Sequence, residues 1–345
     1  MHLGIYPALP GVNGHNPARV EKASSPSMVA GYEHRPGNHC GSTALRNLLA
    51  FHGVELSEEM AFGLGAGACF YYVVLEGQSP SRFTNGRAAR LEEQFVELTG
   101  APLSLETADD PETSWDEARR VVDSGRPALL LTDLYHLDHY GRSAHFPGHA
   151  VVLAGYDSDR AFLSDTAFEE LQATALPNLA LARHEQHPAY PLAGHLFHVP
   201  EEVTLGDPRD AAPRAIERAV EGMLEPEFGE FQGVPALRRL AAEVEEWPRA
   251  AEDWRWCARF GYQVIERRGS GGGNFRRMYG RFLAEAGYAE AELAEEAAER
   301  WTALAGELLA ASEAEDPDPR PWAAVSEGAV AVLDAEERLW TALRE

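Results

Sequence analysis

The chain has 345 residues, 45% of them hydrophobic, and a formal net charge of −25 at neutral pH. That length is long for one core and predicts two domains, or one domain with a large appendage. The acidity excludes the basic face that nucleic-acid binding needs and predicts a solvated surface. Lys22 is the only lysine, so nearly every cation is an arginine.

Residues 1–30 are rich in Pro, Gly and Ser and read as an irregular arm. They carry neither a basic n-region nor an apolar h-region, and no stretch of the chain approaches the roughly 20 apolar residues of a membrane span. The expectation is a cytoplasmic protein. From residue 31 to about 205 helical and strand patterns alternate. GNHCGSTALRNLLAFHG predicts a loop through Pro36 and Gly37, then a helix beginning at Cys40 and stopping near Gly53. LSEEMAFGLG predicts a second helix capped by Ser57. ACFYYVVLEG (68–77) predicts a buried strand, NGRAARLEEQFVELTG (85–100) a helix, and APLSLETA a strand. SWDEARRVVDSG shows Ser114 with Glu117 three residues on, a capping-box pattern. RPALLLTD predicts a strand ending in Asp133. HFPGHAVVLAGYDSDRAFLSDTA predicts a strand from His149, a turn at DSDR and a return strand ending at Asp165. A helix is expected near FEELQATALPNLALAR.

Beyond GDPRDAAPR the pattern changes to Ala-, Glu-, Arg- and Leu-rich segments with i, i+3, i+4 apolar spacing. An all-α helical bundle is expected over 212–345, with EAEDPDPRPW as its one obvious loop. The fold class is therefore α+β, an N-terminal domain over 31–205 followed by the bundle.

Three residues stand out for chemistry. Cys40 opens a helix, where unpaired N–H groups and the macrodipole favour a thiolate. The hairpin brings Asp165 back beside His149. A cysteine at a helix start with histidine and aspartate on neighbouring strands is the arrangement of a papain-like nucleophilic site. Taken singly, Cys40 also reads as a core thiol and His149 as a structural histidine; the ordered set favours catalysis. Cys40 would be the nucleophile, His149 the general base, and Asp165 the group that orients the imidazole. His145 and Asp157 are the competitors, set aside because they lie off the sixteen-residue spacing or at the far end of the hairpin.

The backbone N–H of Cys40 is the default oxyanion donor, with Asn38 and His39 as side-chain candidates. Asp133 ends a strand and would bind an amine or anchor the loop that follows it. His136, Asp138, His139 and His145 share that loop, but their spacing fits no zinc pattern, so no metal is expected. RRGSGGGNFRR gathers Arg267, Arg268, Arg276 and Arg277 around Gly271 and Gly272 ahead of a helix, with Arg281 beyond. It is an anion- or carrier-binding candidate, or else a cap where two domains meet. With three cysteines, an odd number, and no CxxC pair, neither a disulfide framework nor structural zinc is expected. Cys69 and Cys257 read as packing.

The first half, through NHCGSTALRNLLAFHG, LSEEMAFGLGAGACFYY, DLYHLDHY, HFPGHAVVLAGYD and LSDTAF, resembles the N-terminal domain of the butirosin biosynthesis protein H family. The second half resembles the helical domain of unknown function that often accompanies it, through RRGSGGGNFRRMYGRFLAEAG and the final helices. The resemblance implies a papain-like fold and acyl transfer in antibiotic biosynthesis: an acyl or aminoacyl group moves from a carrier-protein thioester to an amine through an acyl-enzyme. It implies an acyl carrier protein and a small-molecule amine as partners, and no cofactor beyond the phosphopantetheine-linked donor. A looser likeness to the cysteine peptidases that remove double-glycine leaders rests on the Cys40 helix, the HxVVLxGYD hairpin and Asp165. Those enzymes carry a glutamine six residues before the cysteine; this chain has His34 there. A cysteine hydrolase, peptidase or thioesterase, and an inactive module that binds a carrier or pathway intermediate are the alternative readings.

Overall fold

The computed structural model describes residues 26–187, 190–200, 203–314 and 320–345. In chain order the N-terminal half contains β1 Ser27–Met28, α1 Cys40–Phe51, α2 Glu58–Leu64, β2 Ala68–Val74, β3 Arg82–Arg87, α3 Leu91–Thr99, β4 Ser104–Glu106, α4 Pro111–Asp123, β5 Ala128–Asp133, β6 Pro147–Tyr156, β7 Arg160–Ser164, β8 Gln172–Ala175, α5 Leu176–Arg183, β9 Gln186–His187, β10 Tyr190–Pro191 and β11 Leu196–His198. The remainder is helical: α6 Ala212–Leu224, α7 Gly233–Glu243, α8 Trp247–Ala250, α9 Trp254–Glu266, α10 Arg276–Glu285, α11 Ala291–Glu313 and α12 Arg320–Arg344. Among the described residues no helix is long and apolar enough to cross a membrane.

The main sheet runs β4-β11-β5-β6-β7-β8, antiparallel throughout, with β1 added along β6. Period-2 alternation splits its core residues between two faces. Leu129, Leu131, Ala150 and Val152 pack with α1 and α2 on one side. Leu130, Val151, Leu153 and Leu163 pack with α4 and α5 on the other. This double cover explains why RPALLLTD reads as a continuous apolar run. The apolar cluster on the α1 side continues through Phe62 and Phe70 to Trp301 and Trp340, so it runs across the expected boundary near 205–212.

Four expectations need correction. Residues 85–87 are strand, not helix: β3 pairs antiparallel with β2, and its helix-like sequence gives way to the buried hairpin. A Cβ on Gly86 would lie 2.0 Å from Asn274 Oδ1, so only glycine fits there. Helix α4 starts ahead of Ser114, because Asp110 caps it by accepting the Thr113 N–H at 2.7 Å and Pro111 fills its first turn. Ser114 instead bonds His184 Nε2 at 2.8 Å. Residues 172–175 form β8 on β7, and α5 begins only after them. Most of the expected arm (1–25) and the centre of the EAEDPDPRPW loop (315–319) lie outside the described residues, while Ser27–Met28 of that arm is strand.

Candidate active site

Helix α1 begins at Cys40 because two side chains hold the preceding loop. The buried carboxylate of Glu58, the first residue of α2, accepts the backbone N–H groups of Asn38 at 2.8 Å and His39 at 2.7 Å. His39 then caps α1, its Nδ1 accepting the Ser42 N–H at 3.3 Å. Farther back, Gly37 N–H donates to Thr166 O at 3.2 Å, tying this loop to the end of the β6–β7 hairpin. The N–H groups of Cys40 and Gly41 find no protein acceptor among the described residues. Two free donors beside a half-buried thiol are the elements of an oxyanion site.

Strand β6 presents His149 to this helix start. Its Nε2–H donates to Asp165 Oδ2 at 3.0 Å, and its imidazole lies close enough to the Cys40 thiol to act on it electrostatically. The next residue contributes as well, because the backbone of Ala150 also favours the thiolate. Asp165 is fully buried and triply held: His139 Nε2 bonds Oδ2 at 2.9 Å and the Tyr140 hydroxyl donates to Oδ1 at 3.1 Å. A carboxylate held on three sides fixes the imidazole tautomer and plane.

Burial alone would push the Cys40 thiol up. The interaction with His149, joined by Arg87 and the Ala150 backbone, outweighs it and brings the thiol down to about 7. Burial also disfavours charge on His149, but Asp165 and the Cys40 thiolate hold its imidazolium well above the ordinary histidine range. Burial acts against the Asp165 carboxylate too, and the two histidines hold it well below the ordinary carboxylate range. The resting site is thus biased toward a thiolate–imidazolium pair. Burial pushes Cys69 and Cys257 up instead.

The other sequence candidates are placed as follows. Asn38 gives its side-chain N–H to Glu58 Oε2 at 3.3 Å. His39 lies edge-on between Phe62 and Phe275, its Nε2 buried without a partner. Asp133 anchors its loop, accepting the Tyr135 and Phe146 N–H groups at 2.9 Å each and bonding His145 Nδ1 at 2.7 Å. The competitor His145 is therefore spent on Asp133, and Asp157 accepts the Asp159 and Arg160 N–H groups within its own turn. His34, at the glutamine position of the peptidases, bonds Ser164 Oγ at 2.7 Å and Phe168 O at 2.8 Å. His136, His145 and Glu185 are the grouping whose ligand atoms all fall within 4.8 Å, and two direct protein bonds already hold them: His136–Glu185 at 2.8 Å and His145–Asp133.

The glycine-arginine segment is part surface and part core, with Arg267 and Arg268 exposed. Arg276 is fully buried, forking onto Glu336 and donating to the carbonyls of Cys69, Gly86 and Asn274. Arg277 pairs with Glu295 at 3.0 Å, Arg268 bonds Gln263, and Arg267 bonds Tyr262. Gly269, Gly271 and Gly272 all have positive φ, and a Cβ on Gly269 would meet Asn38 O at 2.8 Å. The segment packs the helical half against the loop that sets Cys40.

Sequence reasoning missed Glu58, His139, Tyr140, Arg87 and Glu92. Glu58 looked like an ordinary first-turn acid, and Glu92 lay within a segment read simply as a helix. Arg87 lies over the Phe146 ring at 5.4 Å, on the side of the site where Phe146 meets His149.

Residues 39–166 match the family model described as butirosin biosynthesis protein H, N-terminal. Residues 177–343 match that of a domain of unknown function, DUF4872. No curated protein matches the chain. The two matches lie in succession along the chain, so its N-terminal part is similar to that family's N-terminal domain and its C-terminal part to this second domain.

Proposed function

We propose that this protein, similar over residues 39–166 to butirosin biosynthesis protein H, is a cysteine-dependent acyltransferase of antibiotic biosynthesis. The observation that carries the reading is His149, bonded through Nε2 to Asp165 and set close enough to Cys40 to favour its thiolate. In the first half-reaction the Cys40 thiolate adds to a thioester carbonyl and the carrier thiolate leaves, taking the proton of the His149 imidazolium. In the second, an amine adds to the acyl-Cys40 carbonyl. His149, now neutral, takes the amine proton, and the Cys40 thiolate is expelled as the amide forms. The free N–H groups of Cys40 and Gly41 receive the oxyanion in both. A papain-like arrangement, a phosphopantetheine-linked donor on an acyl carrier protein and a small-molecule amine acceptor complete the proposal.

Intact-protein mass spectrometry with candidate acyl carrier thioesters tests it. The wild type should gain one acyl mass on Cys40 and lose it on adding an amine, with an amide as product. Cys40→Ala should gain none while keeping its unfolding free energy within about 1 kcal/mol. Loss of the acyl group to water at the same rate with and without amine would make the protein a hydrolase. The absence of any adduct would leave only a binding module.

A further inference from the structure

The site described above lacks a side-chain oxyanion donor at each place where one was expected. His34 is held by Ser164 and Phe168, the Asn38 carboxamide by Glu58, and His39 is packed between two phenylalanines. His39 Nε2 is left without a partner between those rings, whereas the Glu92 carboxyl beside the helix start bonds no other side chain among the described residues. Glu92, in the first turn of α3, is 6% exposed and pairs with no arginine or histidine among the described residues. Its Oε1 lies 2.2 Å from the point a Cβ on Gly41 would occupy, so the carboxyl sits over Gly41, whose N–H is one of the two free donors. Gly41 has no side chain to keep it away.

We propose that Glu92, as its carboxylic acid, donates the side-chain hydrogen bond to the oxyanion formed when Cys40 adds to an acyl donor. The inference rests on the acyl-transfer reading and names the residue that completes it. A carboxylate in that place would repel both the thiolate and the developing oxyanion, so the role requires the neutral acid. The surroundings supply that condition. Burial first, then the negative charges of Cys40 and Glu93, push the Glu92 carboxyl up to about 8, against smaller opposing effects of its own backbone N–H and Arg87. Tyr190, the other titratable group facing it, is itself pushed up by burial and the two glutamates and stays neutral. An acid kept protonated by an apolar, anionic setting and used as a hydrogen-bond donor follows general physical chemistry. No proton leaves Glu92 in the step. The thiolate pair forms the C–S bond, the carbonyl π pair moves onto oxygen, and Glu92 O–H donates to that oxygen until the carbonyl re-forms.

The test compares two reactions of Cys40 in the full chain. Acylation by an N-acetylcysteamine thioester builds an oxyanion, whereas alkylation by iodoacetamide does not. Glu92→Ala should slow acylation roughly 10²- to 10³-fold and leave alkylation near the wild-type rate. Glu92→Gln, which keeps an N–H donor, should acylate close to the wild-type rate at pH 7. The wild-type acylation rate should rise through pH 7 with the thiolate and fall again above about pH 8 as Glu92 ionises. Glu92→Gln should lose that fall, because His149 stays protonated well beyond it. Parallel losses of acylation and alkylation in Glu92→Ala would make Glu92 a packing residue and overturn the inference. Unchanged acylation in Glu92→Ala would overturn it as well. A wild-type protein that is alkylated but never acylated would overturn the acyl-transfer reading itself.

Discussion

Two buried ionic clusters in this protein are built on opposite rules. At Arg276 and Glu336 every polar atom is answered: the guanidinium forks onto the carboxylate and three carbonyls, and Trp301 and Trp340 donate to the same carboxylate. At Cys40 the surroundings are equally dry on the His149 and Asp165 side. Yet two backbone N–H groups find no protein acceptor among the described residues, the Glu92 carboxyl bonds no other side chain there, and the thiol is only half-buried. A saturated cluster can only hold structure, whereas an unsaturated one has interactions to give to a reacting group. Charge alone does not tell them apart. The most basic segment of the chain belongs to the first kind, and the catalytic proposal rests on the second.

The comparison breaks most visibly at Arg276. Its replacement by Ala strands the Glu336 carboxylate in the core and should cost about 3–5 kcal/mol of stability, read from urea unfolding. A variant that kept its stability and only weakened capture of a carrier-bound donor would return the segment to the role its charges suggested. The second effect is chemical. Asp165→Asn keeps the shape but removes the charge that holds His149 in its tautomer. It should slow acylation of Cys40 by more than 10-fold, though by less than the roughly 10⁴-fold seen for a serine nucleophile, because a thiolate is reactive without a base. Single-turnover acylation measures it, with urea unfolding as the check that the fold is intact.

The parts of the site legible in the sequence were those set by local pattern. The helix start at Cys40, the β6–β7 hairpin and the pairing of His149 with Asp165 follow from turn chemistry and strand alternation. Helical spacing marked most of the C-terminal helices. What stayed hidden depends on contacts between residues far apart in the chain. Nothing local distinguishes Glu58 or Glu92 from a solvated first-turn acid until α2 and α3 are packed against α1. The same holds for Arg276, whose partner Glu336 is 60 positions away. Strands β3 and β8 were concealed for a related reason. Their residues carry helix-compatible spacing, and only pairing with β2 and β7 decides against it.

The most direct test of the central claim, that Cys40 is an activated nucleophile and the other two cysteines are not, is the pH dependence of limiting iodoacetamide labelling, resolved by peptide. The opposing shifts predict that Cys40 labels first, with a half-point near pH 7, while Cys69 and Cys257, pushed up by burial, react only after unfolding. His149→Ala should move the Cys40 half-point up by at least one pH unit, since its main stabilising partner is gone. Equal labelling of the three cysteines, or a Cys40 half-point unmoved by His149→Ala, would contradict the account.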